Sequence, residues 1–495
     1  MNYTGTRSPY SVSASLAITQ GIADDGGLFV PESFPQLSEN DFEGLIGADY
    51  RGRAGTILEK YLTDFPQDEL RACVDGAYLG TFDNDDPAPL REIDGGTFLL
   101  DLWHGPTCAF KDLALQLLPH LLTRAARRTM PGKEIVILVA TSGDTGKAAL
   151  EGFADVPGVR IIVFYPENGV SAIQKLQMTT QRGNNVCVCA IKGNFDDAQT
   201  GVKAVFSDPE MAKKAAARGL VFSSANSINF GRLVPQIVYY VSAWCDLVKT
   251  GRLKRGEKFN VAVPTGNFGN ILAAVYAKKM GLPVGRFICA SNRNRILTDF
   301  IRTGVYDRNR EFYLTTSPSM DILISSNLER MLYHLHDGDG AAVARLMADL
   351  RSKGRYEIAG EHLKRLQADF WGGFCDDVRA AEAIKRLFNE RKMLCDTHTA
   401  VAVDVLSQYR KATGDTAPCV IASTASAYKF APAVLPAVDD GPVPEGGFEI
   451  IRKLSQVTGT PIPKPLADLN TRPVLHRDCV EKTAMADFIA GKLFA

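Results

Sequence analysis

No uninterrupted apolar run in the chain is long enough to cross a bilayer, and its opening residues, Met1-Asn2-Tyr3-Thr4-Gly5-Thr6-Arg7, lack the apolar core of a secretory signal. Neither sign of charge dominates. Lys plus Arg and Asp plus Glu both number 56, so no global field draws nucleic acid or an anionic membrane, which leaves room only for a local anion pocket. Histidine is scarce, at 7, and the one-residue separations of His334 from His336 and of Cys187 from Cys189 are not those of a zinc loop. The two cysteines fall on one face of a predicted strand, where packing explains them. Ten cysteines are scattered over 495 residues, a length that builds a core without disulfide staples. The expectation from these absences is a non-secreted, cytoplasmic protein with no metal, membrane or nucleic acid; a monomer or homodimer is expected.

The familiar nucleotide loops are missing as well. Gly143-Asp144-Thr145-Gly146-Lys147 is too short for a phosphate-binding Walker loop and is followed by Ala148 instead of Ser or Thr. The dinucleotide glycine spacing occurs at neither glycine-rich loop.

With 45% hydrophobic and 23% charged residues, the chain suits two or three globular domains. Residues up to about 95 read as mainly helical, with a boundary near Asp83-Asn84-Asp85-Asp86-Pro87. Beyond it, β-branched runs at 135–140, 160–165 and 186–191 alternate with helical patterns at 146–152, 170–180 and 196–205. A second series follows: a long helix over 231–248, strands at 259–263 and 285–290, and a helix over 269–280 between them. Such alternation predicts parallel βαβ units, whose ligands sit at the carboxyl ends of the strands. The loops after Val139, Val263 and Ile421 are therefore the places to look. Residues 300–395 break the rhythm and read as a helical insertion.

One segment concentrates chemistry. His104-Gly105-Pro106-Thr107-Cys108-Ala109-Phe110-Lys111-Asp112 is a breaker-rich turn feeding an apolar helical pattern that continues from Leu113 to about Arg128. A lysine buried in a first helical turn loses its proton through poor solvation and the positive end of the helix dipole. The resulting neutral amine is a nucleophile suited to imine formation. Taken alone, a lysine that snorkels to solvent fits the segment too.

Two glycine-rich loops, Thr141-Ser142-Gly143-Asp144-Thr145-Gly146 and Thr265-Gly266-Asn267-Phe268-Gly269-Asn270, each follow a predicted strand and open a helix. Each is a candidate cradle for phosphate or carboxylate, or simply a tight turn. Asn226-Ser227-Ile228-Asn229-Phe230-Gly231-Arg232 offers polar donors and an arginine able to clamp an anion, or caps a helix. Ser423-Thr424-Ala425-Ser426 sets hydroxyls just past a strand.

Together with Thr19-Gln20-Gly21, Gly26 to Pro31, Ala290 to Asn294, Ser317 to Ile322 and His398 to Ala402, these segments resemble the threonine synthases of the bacterial and fungal type. These belong to the tryptophan-synthase-like, fold type II, pyridoxal 5'-phosphate (PLP) enzymes. The resemblance implies an α/β fold with two parallel-sheet domains, an N-terminal helical region and a helical insertion. It divides the chain into 1–95, an N-terminal helical domain; 96–130, part of the large PLP domain; 131–225, the smaller α/β domain; and 226–495, the rest of the large domain. It implies that Lys111 bonds the cofactor's aldehyde, that Gly266, Asn267, Phe268, Gly269 and Asn270 hold its phosphate, and that Thr424 faces its ring nitrogen. Asp144 falls near the cofactor's ring hydroxyl. Ser142, Thr145, Lys147, Asn226, Ser227, Asn229 and Arg232 are the implied substrate contacts, with Arg232 or Lys147 on a second phosphate. Departures from the pattern are Cys108 for leucine, Ala427 for proline, Thr397 for the proline before His398, and Ser8 for glycine after Arg7, which puts a substrate role for Arg7 in doubt. The implied reaction turns O-phospho-L-homoserine and water into L-threonine and phosphate. The alternatives are a serine/threonine dehydratase, a phospholyase, or a noncatalytic scaffold that kept the fold.

Overall fold

In the computed structural model, which describes residues 1–494, the alternating β-branched runs form two separate sheets. The larger has six strands in the order Phe370–Phe374, Val284–Ser291, Phe259–Pro264, Cys419–Ser423, Thr97–Asp101, Leu90–Asp94. All neighbours are parallel except the last pair, a hairpin. Phe259–Pro264 and Cys419–Ser423 are buried at every residue, as strands covered by helices on both faces must be. The smaller sheet is wholly parallel, in the order Asp478–Glu481, Val186–Lys192, Val159–Pro166, Glu134–Ala140, Leu220–Ser223.

The helix Phe230–Lys249 is buried for nearly all its length and apolar around most of its circumference. It packs on the helices Tyr50–Tyr61, Gly269–Lys279 and Lys111–Leu115, and so ties the N-terminal region to the ligand-facing loops. Buried Arg53 reaches from the N-terminal helices to the Ser242 hydroxyl at 2.7 Å and to Asp246 at 2.8 Å. No helix of the described residues is long and apolar enough to cross a membrane, and all ten cysteines are free.

Four features depart from the sequence reading. The helical pattern after Lys111 is two helices, Lys111–Leu115 and Leu118–Thr129, because Pro119 in the first turn of the second has no amide to continue the ladder. A five-residue helix has little dipole, so the cause of Lys111's reactivity must lie elsewhere. Residues 300–395 are not only helical: Phe370–Phe374 forms an edge strand of the large sheet, and Val305–Asp307 pairs with Arg355–Glu357. That edge strand, Phe-Trp-Gly-Gly-Phe, carries no β-branched signal, and a Cβ at Gly372 would press to 3.1 Å of the Thr298 backbone. The C-terminal residues do not stay with the large sheet. Asp478–Glu481 pairs with Val186–Lys192, and Met485, Ile489 and Leu493 of the last helix enter the small sheet's core. Finally, the N-terminal region adds a three-stranded antiparallel sheet to its helices, and Leu90–Asp94 belongs to the large sheet.

Candidate active site

The loops that leave Glu134–Ala140, Phe259–Pro264 and Cys419–Ser423 converge on one cleft. Its walls include Lys111, Asp144, Thr145, Ser227, Arg232, the run Thr265 to Asn270, and Thr424.

Lys111 reaches the cleft because the segment before it is bonded to the segment after the central strand. The Phe110 amide donates to the Thr424 carbonyl at 2.8 Å, Ser426 donates to the Cys108 carbonyl at 3.1 Å, and Ala109 bridges to Ala425. Cys108 takes a positive φ of 58° to make the turn. Asp112 is fully buried and accepts from the Thr107 amide at 2.9 Å and hydroxyl at 2.6 Å, which closes the loop behind Lys111.

The second glycine loop presents its amides to the cleft because its carbonyls are tied from behind. Asn327 donates its backbone amide and side chain to the Asn267 carbonyl at 3.0 and 3.1 Å, and the Ser325 hydroxyl donates to the Gly266 carbonyl at 2.7 Å. None of the amides from Gly266 to Asn270 donates to another backbone carbonyl. They open the helix Gly269–Lys279, whose positive end adds to the pull on an anion. Phe268 sits in the left-handed region at φ 61°, strain of the kind retained at functional loops. Gly266 is required by close approach: a Cβ there would lie 2.5 Å from the Ser319 carbonyl oxygen.

Two buried donors on this wall have no partner, the Arg232 Nε and the Asn270 Nδ2. Arg232 is 2% exposed and has no carboxylate beside it; its one bond goes to the Ala225 carbonyl at 2.6 Å. Burial pushes its proton affinity down to about 10, the mark of a cation that lacks its anion.

The electrostatics centre on Asp144. Its carboxylate lies 2.7 Å from the Lys429 Nζ and 3.6 Å from the Lys111 Nζ, and accepts from Gln174 at 2.9 Å. Burial alone would raise this carboxyl, yet the two ammonium groups hold it well below the usual carboxylate range. Burial lowers Lys111's proton affinity; Asp144 opposes that, while Lys429 and Arg232 reinforce it. Burial and neighbouring charge thus supply what the short helix cannot.

Other residues named from sequence take different places. Lys147 bonds to Glu151 at 2.7 Å and to Gln181, and does not line the cleft. Asn229 caps the long helix through Gly231 at 2.8 Å and donates to the Ile18 and Ser224 carbonyls. Ser142, in the loop after Glu134–Ala140, and Asn226, in the loop after Leu220–Ser223, do not line the cleft. Arg7 is held by Glu329 at 2.8 Å.

The sequence reading overlooked Lys429, whose only signal is a lone charge in the apolar stretch Ala425 to Leu435. It also gave no site role to His398, which lines the cleft, donates to Asp396 at 2.7 Å through Nδ1, and accepts the Ser319 amide at 3.1 Å through Nε2. Taken together, the cleft has free amides and an unpaired arginine for phosphate, an amine for an aldehyde, and the Thr424 hydroxyl, a donor set that fits PLP.

Family models for "Threonine synthase N terminus", "Pyridoxal-phosphate dependent enzyme" and "Threonine synthase, C-terminal" match residues 2–78, 85–424 and 399–489. The chain is 41% identical to threonine synthase-like 1 of Homo sapiens over 95% of its own length, and spans 62% of that longer relative. It is 38% identical to threonine synthase of Pseudomonas aeruginosa, with 88% of this chain and 90% of that one covered. The crystal structure of PLP-bound threonine synthase from Brucella melitensis matches at a TM-score of 0.88 and 35% identity, over 100% of both chains. The cofactor is PLP. The chain belongs to the threonine synthase family of pyridoxal-phosphate-dependent enzymes.

Proposed function

We propose that the chain converts O-phospho-L-homoserine and water into L-threonine and phosphate. The observation that carries this reading is the meeting, in one cleft, of Lys111 with two kinds of anion-seeking donor, the loop amides and the unpaired Arg232. A dehydratase acting on an unphosphorylated amino acid brings no substrate phosphate for the second to bind.

In this reading Lys111 anchors the cofactor's aldehyde, Gly266, Asn267, Phe268, Gly269 and Asn270 hold its phosphate, Thr424 meets its ring nitrogen, and Asp144 lies beside its ring hydroxyl. Bound there, the cofactor withdraws electrons from the substrate's Cα and Cβ. Ser142 and Thr145 take the substrate carboxylate, and Arg232 with Ser227 takes its phosphate. Asn226, Asn229 and Lys147 shape and brace the surrounding loops.

Once the substrate amine has replaced it, Lys111 is a free amine within reach of the reacting carbons and moves their protons. Loss of the Cα and Cβ protons is followed by cleavage of the Cγ–O bond, the electron pair leaving with phosphate. Cγ gains a proton and becomes the methyl group, water gives Cβ its hydroxyl, and Cα recovers its proton. Arg232 stabilises the charge that grows on the departing phosphate, in surroundings where burial makes the interaction strong.

Separate incubations with O-phosphohomoserine, L-threonine and O-acetylserine test the reading. Threonine and phosphate in equal amounts from the first, and no turnover of the other two, is the expected result. Ketobutyrate and ammonia from the phosphorylated substrate would mark a phospholyase, and ketobutyrate from threonine a dehydratase; either overturns the proposal.

A further inference from the structure

Lys429 is completely buried, yet belongs to none of the loops read from the sequence as chemical. Its Nζ lies 2.7 Å from the Asp144 Oδ1 and 2.8 Å from the Thr107 carbonyl oxygen. The Gln174 amide also donates to that Oδ1, at 2.9 Å, while the other oxygen, Oδ2, faces the Lys111 Nζ at 3.6 Å. One carboxylate therefore stands between two lysines, at ion-pair distance from Lys429 and further from Lys111.

We infer that Lys429 is a positioning residue for Lys111, which by engaging Asp144 keeps that carboxylate from serving as Lys111's full counterion and so leaves Lys111 free to lose its proton. The inference rests on the reading of Lys111 as the cofactor's anchor.

The remaining charges around Lys111 favour the same outcome. Arg232, on the long helix, also lines the cleft, adds positive charge and has no acidic partner. Asp112, on Lys111's own helix, has both oxygens engaged by Thr107. Glu151, further along the helix of Asp144, is paired with Lys147. His398, the remaining titratable side chain on the cleft wall, is bonded to Asp396 and Ser319. With one carboxylate shared between Lys429 and Lys111, and Arg232 adding unpaired positive charge, the more weakly paired lysine is the one that gives up its proton. Lys429 also holds the Thr107 carbonyl, so the same ammonium braces the turn that carries Lys111.

The test uses the full-length chain stripped of cofactor and mixed with PLP, following growth of the visible band against pH. Band formation needs the unprotonated amine, so the midpoint of the rate profile reports the proton affinity of Lys111. Lys429→Met is expected to raise that midpoint by about one pH unit or more, and hence to slow band formation about tenfold on the acid side, because Asp144 is then left to Lys111 alone. Lys429→Arg retains the charge and is expected to keep the original midpoint. Asp144→Asn removes the attraction and is expected to move the midpoint down, which supplies the test if Lys429→Met does not fold. Opposite shifts in the two variants, with rescue by arginine, are not what a loss of packing produces. A Lys429→Met midpoint at the original value in a folded protein, or an unmoved or raised midpoint in Asp144→Asn, overturns the inference. If Lys111→Ala still forms the band, it is the assignment of Lys111 that fails instead.

Discussion

Asp112 gives the stability of this protein a pH dependence that one substitution isolates. The carboxyl is fully buried and is bonded only to the Thr107 amide and hydroxyl. Burial pushes its proton affinity up to about 6, against the pull of those two bonds and of Lys429. In the unfolded chain an aspartate titrates near about 3.9. Between about pH 4 and pH 6 the folded form therefore keeps a proton that the unfolded form has lost. A state that binds more protons is favoured by acid, so this group's contribution is greatest below the window and falls as pH rises through it. A shift of about two units is worth about 3 kcal/mol.

Asp112→Asn keeps the shape and one acceptor but turns the other oxygen into a donor facing a donor. That mismatch adds a cost that does not itself vary with pH. The mutant lacks the titration, so the stability advantage of the original chain over it should shrink by about 3 kcal/mol between pH 4 and pH 7. For a chain of 495 residues, this is a change of about 3 °C in the difference between melting midpoints. Paired thermal melts of cofactor-free protein from pH 4.5 to 7.5, about the range of the titration, provide the measurement. Other titrating groups cancel in the difference. A gap between the two proteins that stays constant, or that widens in the original chain's favour with rising pH, would refute the reasoning.

Gly266→Ala sets a methyl group 2.5 Å from the Ser319 carbonyl oxygen, a backbone atom that cannot swing aside; PLP affinity should fall about tenfold or more, equivalent to about 1.4 kcal/mol or more, and an unchanged Kd in a visible-band titration would count against the cup geometry. Arg232→Met removes a buried cation that has no anion beside it. In PLP-saturated protein, added inorganic phosphate should raise the Tm of the original chain but not of this variant, and equal stabilisation of both would remove Arg232 from the second anion site. Ile489→Ala opens a cavity in the small sheet's core, where Ile489 is completely buried; a loss of about 2–5 kcal/mol is expected in denaturant melts, and a change within error would show that the last helix contributes little there.

Much of the site was legible because its parts are local. The two glycine loops follow strands of strongly β-branched composition, and their position at strand ends implies a ligand-facing role before any contact is known. Lys111 was legible as a turn lysine, but the reason it gives up its proton was not. The dipole argument assumed an unbroken helix, whereas Pro119 divides it. The effective causes, Asp144, Lys429 and Arg232, lie 33, 318 and 121 positions away in the chain numbering. Phe370–Phe374 escaped notice because glycines needed for close packing erase the usual strand signal. The C-terminal strand escaped because its four residues, Asp-Cys-Val-Glu, are mostly exposed at a sheet edge and show no apolar alternation.

Local patterns along the chain were enough for the strands that carry the glycine loops, for the loop chemistry and, through ordered segments, for the family. These depend on side-chain periodicity, glycine placement and residue type, all properties of neighbours in the chain. Tertiary structure decided which charges share a neighbourhood. It turned Lys147 toward Glu151, left Arg232 unpaired in the cleft, and set Asp144 between Lys111 and Lys429. Proton affinity and anion binding depend on distances through space and on exclusion of water, and both arise only when remote segments pack together.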